Sequence, residues 1–409
     1  MEIFEVGGAV RDGLLGREIK ERDWVVVGGS AAALLALGYR KVGKDFPVFL
    51  HPDTHEEYAL ARTEKKIGPG HHGFAVAATP QVSLEEDLGR RDLTINAMAR
   101  DASGGIVDPY GGQRDLAARV LRHVSDAFVE DPLRVLRVAR FAARFAPLDF
   151  SVAPETLVLM REMAQSGELE TLRPERIWRE TQIALGEPAP QQFFATLRDC
   201  GALERIFPEV DALFGVPQPP RWHPEIDTGV HTLMALELAA ELSSEPQVRF
   251  AVLTHDLGKA RTPTELLPKH HGHEHCSVEL IAQVCARLPV PRRYRELAEA
   301  VARYHGTIHR AEELRPETVL KIIEATDALR RPERFEELLL ACEADARGRK
   351  GLQTQPYPQA ACLRAARQAA AGTATADLGT DLDGAAIGAR LRERRLAAIA
   401  AALNTARTR

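Results

Sequence analysis

Cysteine is scarce in this chain. Five are scattered among 409 residues (Cys200, Cys276, Cys285, Cys342 and Cys362), with no Cys-x-x-Cys pair. That usage argues against a disulfide framework and fits a reduced, cytoplasmic compartment. No apolar run approaches the length of a membrane span, so no membrane partner is expected, and the first residues lack a signal-peptide pattern. Basic charge is not in excess either: the net charge is −5. A nucleic-acid partner would therefore have to be met by local basic patches. No internal repeat of useful period is present. What remains is a composition of 45% hydrophobic and 27% charged residues, that of a soluble globular protein. The length predicts about two to four domains.

Residues 1 to about 120 mix short apolar runs with Gly and Pro punctuation, an α/β texture. Ile3 to Val6 read as a strand, Gly7-Gly8 break it, and Arg11 to Leu15 open a helix. A strand, a glycine pair and a helix start make a phosphate cradle, because backbone N–H groups can approach the ligand there. Trp24 to Val27 read as the next strand, with Glu21 and Asp23 where it begins. Residues two apart on a strand point the same way, so both carboxylates are expected on one side. Paired carboxylates beside a phosphate cradle suit magnesium and two-metal attack on a phosphate.

Arg90-Arg91-Asp92 followed by Asn96 forms a second polar cluster. In one reading Arg91 holds a triphosphate while Asp92 or Asn96 meets sugar hydroxyls; in the other this is an exposed helix start capped by Asp92. From about residue 114 the texture is helical. Glu130-Asp131-Pro132-Leu133-Arg134 opens a helix with Glu130 or Asp131 near its cap. Arg134, Arg137, Arg140 and Arg144 then recur at three- and four-residue steps, laying a guanidinium stripe without interleaved acids, either a solvated face or a polyanion contact. Asp131 with Arg134 admits a sharper reading. Adenine and cytosine share an exocyclic amino donor next to a ring-nitrogen acceptor, which a carboxylate and a guanidinium complement. Guanine and uracil would face like against like, so one Asp and one Arg could select C and A.

Residues 222 to 309 carry nine of the 14 histidines. His231, His255-Asp256 and Asp345 form a third constellation, and imidazole with carboxylate fits a transition-metal site. His270, His271, His273 and His305 are further candidates. The mixed N/O set admits zinc, nickel, cobalt or manganese. Residues 368 to 381 look like a loose connection, and Ile387 to Leu403 like a last helix bearing Arg390, Arg392, Arg394 and Arg395.

With these motifs in order the chain resembles the bacterial CCA-adding tRNA nucleotidyltransferases. More narrowly, it resembles the multifunctional type with an HD phosphohydrolase domain, within the poly(A) polymerase superfamily. Carrying the resemblance are Gly-Gly-Ala-Val-Arg-Asp at 7–12, the acids at 21 and 23, Arg-Arg-Asp-Leu-Thr-Ile-Asn-Ala at 90–97, Glu-Asp-Pro-Leu-Arg at 130–134 and His-Asp at 255–256. It implies an α+β protein: a pol-β-like nucleotidyltransferase head at 1–120, an all-helical neck and body at 121–224, an HD domain at 225–345 and a helical tail at 346–409. It further implies that Gly8, Arg11 and Arg91 contact nucleotide, that Glu21 and Asp23 bind Mg2+, and that Asp131 and Arg134 act as an amino-acid template. Arg137 and Arg140 would line the nucleotide site. The implied reaction adds C, C and A to a tRNA 3′ end from CTP and ATP. His231, His255, Asp256 and Asp345 would hold a transition metal, nickel among the candidates, for phosphohydrolase chemistry. A monomer or homodimer is expected. The pattern departs at position 21, where the family usually has aspartate and this chain has glutamate. Competing readings are a poly(A) polymerase, a phosphohydrolase whose head only binds nucleotide, and a non-catalytic RNA-binding protein.

Overall fold

The computed structural model describes residues 1–43, 48–66, 74–373 and 384–407. Of the expected loose connection at 368–381, residues 368–371 instead finish the Pro358–Ala371 helix, and residues 374–381 lie outside the described residues. The chain divides into two compact units, Met1–Ile206 and Phe207–Arg409.

The first unit is built on a seven-stranded mixed sheet. Its first five strands are β1 (Glu2–Val6), β2 (Asp23–Val27), β3 (Arg40–Val42), β4 (Val48–Leu50) and β5 (Glu57–Leu60). They lie in the order β3-β4-β5-β2-β1, continued by Ala99–Arg100 and Ile106–Val107. The Trp24–Val27 run is apolar throughout rather than alternating, because both faces are packed. Val25 joins a core with Val6, Leu88 and Ala99, whereas Val26 joins Leu34, Phe49 and Leu60. The antiparallel register of β1 and β2 pairs Asp23 with Val6, the residue just before Gly7-Gly8. A carboxylate and the glycine turn are thereby fixed at one end of the sheet. Helix α1 begins at Gly8 and runs to Leu14, three residues earlier than the sequence suggests. Beyond the sheet the unit is chiefly helical, and its longest helices include Leu133–Phe145 and Pro174–Gly186.

Among the described residues the second unit is helical. Its centre is the Pro246–Thr254 helix, buried from Gln247 to Thr254. It packs on Thr228–Leu242, Arg292–Ile308 and Pro332–Arg347. A helix buried on all sides lies inside a bundle, so the residues at its C-terminal end are delivered to the interior. Here those residues are His255 and Asp256. Residues 207–224, which the sequence reading put with the body, pack with this unit. The last helix, Gly384–Arg407, extends past both ends of the expected one.

Candidate functional site

One cavity of about 660 Å³ in the first unit collects every residue that the resemblance assigned to the nucleotide site: Gly8, Arg11, Glu21, Asp23, Arg91, Asp131, Arg134, Arg137 and Arg140. Nine arginines line it against four carboxylates, a wall made for a polyanion. Gly7 makes its turn with φ +70°, and a Cβ there would sit 2.9 Å from Arg91 Nη1. Only glycine satisfies both the left-handed backbone and that close approach. Glu21 and Asp23 reach the same cavity by a different route from the one expected. Glu21 lies two residues before β2, so strand alternation does not place it. Desolvation holds the Asp23 carboxyl above its usual value; the Arg91 charge opposes this and the Glu21 charge adds to it. Two all-oxygen side chains whose charges repel fit a hard divalent cation between them. The β2–β5 register brings one more carboxylate, Glu57, beside Asp23, but Glu57 lines a smaller adjoining cavity instead.

The cluster at 90–96 is not an exposed helix start. Asp92 and Asn96 are each 6% exposed. Asp92 Oδ1 accepts from Leu93 N and Asn96 Nδ2, and Oδ2 accepts from Arg137 Nε at 2.7 Å. Burial alone would raise Asp92, yet the Arg137 charge and these donors win and hold it far below the usual range. Asn96 Oδ1 in turn accepts from Arg11, which also forks onto Asp12. These residues pin the glycine turn to the arginine helix. Arg91 Nε is buried in the cavity wall without a partner among the described residues, a donor left for a ligand.

Nor is the guanidinium stripe a solvated face. Arg134 and Arg140 are buried, and the acids missing from the helix itself arrive from elsewhere. Arg137 meets Asp92, Arg140 meets Glu180 at 2.6 Å, and Arg144 meets Asp12 at 3.2 Å. Arg134 donates to the carbonyls of Ala127 and Arg90. Asp131 is gripped by Leu133 N and by Arg176, at 3.1 Å each. Asp131 therefore lies just ahead of the helix, which runs Leu133–Phe145. The sequence reading missed Arg176, although Arg173, Arg176 and Arg179 repeat the three-residue step that marked the first stripe.

In the second unit, three helices and a turn converge their polar ends. His231 comes from Thr228–Leu242 and Asp345 from Pro332–Arg347, with His255 and Asp256 between Pro246–Thr254 and a 3-10 turn. His231 Nε2 lies 3.0 Å from Asp345 Oδ1, and His255 Nε2 lies 3.1 Å from Asp256 Oδ2 and 3.6 Å from Asp345 Oδ1. All four expected ligands are thus together and buried. Gly258 lets the His273–Arg287 helix approach, since a Cβ would strike the His273 carbonyl. His273 and His305 join the cluster, with Nε2 atoms 3.2 and 3.6 Å from Asp256 Oδ1. His270 does not join: Thr262 and the Pro217 carbonyl occupy its two ring nitrogens. His271 is exposed at the cavity wall.

The tautomers are legible. Nδ1 of His255, His273 and His305 each faces a backbone carbonyl, which only accepts, so each Nδ1 carries the hydrogen. Their Nε2 atoms then face into the cluster, those of His273 and His305 lying 3.4 Å apart; against burial, the Asp256 and Asp345 charges hold His255 up at about 10, with a proton that a bound cation would displace. Neither oxygen of buried Asp256, nor His255 Nε2, finds an aligned hydrogen-bond partner. Converging imidazoles and carboxylates call for a cation, and this donor set fits a transition metal. Burial pushes His305 down to about 3, so it is a neutral donor. The sequence reading missed three members. His309 Nε2 lies 2.6 Å from Asp345 Oδ2, Lys259 Nζ lies 2.5 Å from Asp256 Oδ2, and Glu225 Oε1 lies 3.0 Å from His231 Nδ1. His309 lies one helical turn beyond His305 and was findable; Glu225, in a loop, carries no sequence signal.

Family models match three stretches: a poly(A) polymerase head domain over residues 3–122, a probable RNA- and SrmB-binding site of polymerase A over 149–214, and an HD domain over 228–347. Fold and sites thus define a nucleotidyltransferase head joined to an HD module. Among curated relatives, the multifunctional CCA proteins of Thioalkalivibrio sulfidiphilus and Nitrosococcus oceani are each 62% identical, covering 98% and 100% of both chains. That of Methylococcus capsulatus is 60% identical over 98% of this chain and 94% of its own. The chain belongs to the multifunctional CCA protein family. Its fold is also that of solved CCA-adding enzymes. One from Thermotoga maritima, complexed with tRNA, has a TM-score of 0.62 at 20% identity, covering 99% of this chain and 91% of its own. Another, complexed with ATP, has 0.64 at 21%, covering 97% and 86%.

Proposed function

We propose that the first unit adds the 3′-terminal C, C and A to tRNA from CTP and ATP. The observation that carries this is the single cavity in which a glycine turn, two carboxylates, a surplus of arginines and the Asp131/Arg134 pair meet. Arg91 and its neighbours bind the triphosphate. Glu21 and Asp23 would hold magnesium, which supplies charge for the phosphates and for the hydroxyl that attacks them. Asp131 accepts from the exocyclic amine of the incoming base and Arg134 donates to its ring nitrogen. Their protein partners, Arg176 and two carbonyls, hold both side chains in register while a base is read. The tRNA 3′-hydroxyl attacks the α-phosphate and pyrophosphate leaves.

In the second unit, His231, His255, Asp256 and Asp345 would hold a transition metal. They serve a phosphohydrolase acting on RNA-end phosphates, as a 2′,3′-cyclic phosphodiesterase, 2′-nucleotidase and phosphatase. Residues 1–120 then act as head, 121–224 as neck and body with its last stretch, 207–224, packed in the second unit, 225–345 as the hydrolytic domain and 346–409 as tail, in a cytoplasmic protein. The five free cysteines are consistent with that compartment, and no described helix is long and apolar enough to cross a membrane. The test is one incubation with tRNA ending at its discriminator base, labelled CTP and ATP, then sequencing of the product ends. The expected product ends in CCA and grows no further. A run of A would make the chain a poly(A) polymerase instead.

A further inference from the structure

The cavity opening onto the second-unit cluster measures about 640 Å³, and its wall holds more than phosphate chemistry needs. Beside His305, His309 and Asp345 it carries Trp222, Pro219 and Leu352. Trp222 is 57% exposed. An exposed indole in a cavity wall offers a flat apolar platform to a planar ligand. The Arg221 guanidinium lies 4.8 Å from the indole centroid, yet Arg221 is not part of the cavity wall. The ring thus has a cationic partner from outside the wall while itself lining the cavity.

Two buried donors in the same wall lack acceptors. Gln218 is 1% exposed, and its Oε1 accepts from Lys259 Nζ at 2.6 Å. An ammonium only donates, so the atom facing it must be the amide oxygen, and Nε2 is the remaining donor. That Nε2 has no partner. Arg349 Nε is likewise buried and unpartnered, while its Nη1 reaches the Trp222 carbonyl at 3.4 Å. A flat apolar platform and unsatisfied donors beside a metal-ligand cluster match one chemistry: a planar base joined through a sugar to a phosphate.

We propose that Trp222 and Gln218 set the specificity of this cavity, Trp222 stacking on the base of the nucleotide and the Gln218 amide donating to a phosphoryl oxygen. It rests on the hydrolytic reading of the second unit and adds to it the residues that meet the base and the phosphate. A simple phosphoester would use Gln218 and leave Trp222 idle, which is what the test exploits.

The test uses the full-length, metal-loaded protein with 2′-AMP and, as a base-free monoester, glycerol 2-phosphate. In stopped flow, before turnover, 2′-AMP should quench tryptophan emission saturably in the wild type, with that component missing in Trp222→Leu. Subtracting the variant cancels any response of Trp24 and Trp178 to nucleotide in the first unit. In steady state, Trp222→Leu should raise KM for 2′-AMP about tenfold, the scale of one base–aromatic stack, with kcat within about twofold. Trp222→Phe should restore most of the loss, and KM for glycerol 2-phosphate should not move. Gln218→Glu keeps an acceptor for Lys259 but removes the donor, so it should raise KM for both substrates. A short RNA ending in a 2′-phosphate separates the two sources of the ligand. Quenching by it as well as by 2′-AMP assigns the subsite to RNA ends, and quenching by 2′-AMP alone assigns it to free nucleotides. No Trp222-dependent quench, or equal KM changes on both substrates in Trp222→Leu, overturns the stacking role. An unchanged KM in Gln218→Glu overturns the phosphoryl contact. Quenching without hydrolysis by any metal form upholds the subsite and removes the hydrolytic reading.

Discussion

Asp23 is fixed by strand register, and no other assigned carboxylate of its cavity is held by the sheet. Asp23→Ala should lower nucleotide addition at least about a thousandfold, because phosphoryl transfer depends on positioning and charge stabilisation. Binding of tRNA, measured by filter retention, should persist; near-normal addition would remove Asp23 from the metal site. Arg134 raises a subtler question, since its guanidinium also ties Ala127 and Arg90 together. Arg134→Ala should slow addition and also weaken discrimination against UTP and GTP, read as the ratio of kcat/KM values. A variant that is slower but equally selective would reduce Arg134 to a structural clamp.

The arginine helix, Leu133–Phe145, shows how far a sequence carries and where it stops. Its existence and its guanidinium spacing derive from a local period. Its inward orientation does not, because the deciding partners Asp92, Glu180 and Asp12 lie 45, 40 and 132 residues away. Ligand types in the second unit were legible from His255-Asp256, whereas Glu225 and Lys259 became visible only through packing. The Asp92–Arg137 link has a stability consequence. Removing one member of a buried pair costs about 3–5 kcal/mol, but Arg137's side chain is 37% exposed. A smaller loss of about 2 kcal/mol is therefore expected for Asp92→Ala at pH 7. Because the folded-state value of Asp92 is depressed, its contribution is complete above the unfolded value of about 4 and fades as pH falls below it. Urea unfolding should show a smaller gap between wild type and variant at pH 3 than at pH 7.

At the scale of the whole molecule, the two sites are built from separate sets of elements in separate compact units. His255→Ala should abolish hydrolysis of a 2′,3′-cyclic nucleotide, as chelation of the wild type should, and leave CCA addition in magnesium intact. Loss of both activities would mean the units depend on each other. The last helix tests where RNA runs. Arg390 and Arg392 are exposed, although Arg392 already meets Glu324 at 2.9 Å. Neutralising both should reduce the salt slope of tRNA binding by about one to two units, and an unchanged slope would make the helix purely structural. One consequence reaches into how such a chain changes over time. Glu21 precedes β2, in backbone that no strand pairing constrains. The extra methylene of glutamate can be absorbed there by a small backbone shift. At Asp23, locked opposite Val6, it cannot. Aspartate and glutamate codons differ by a single base, so exchange at 21 is open to drift while the same exchange at 23 is closed.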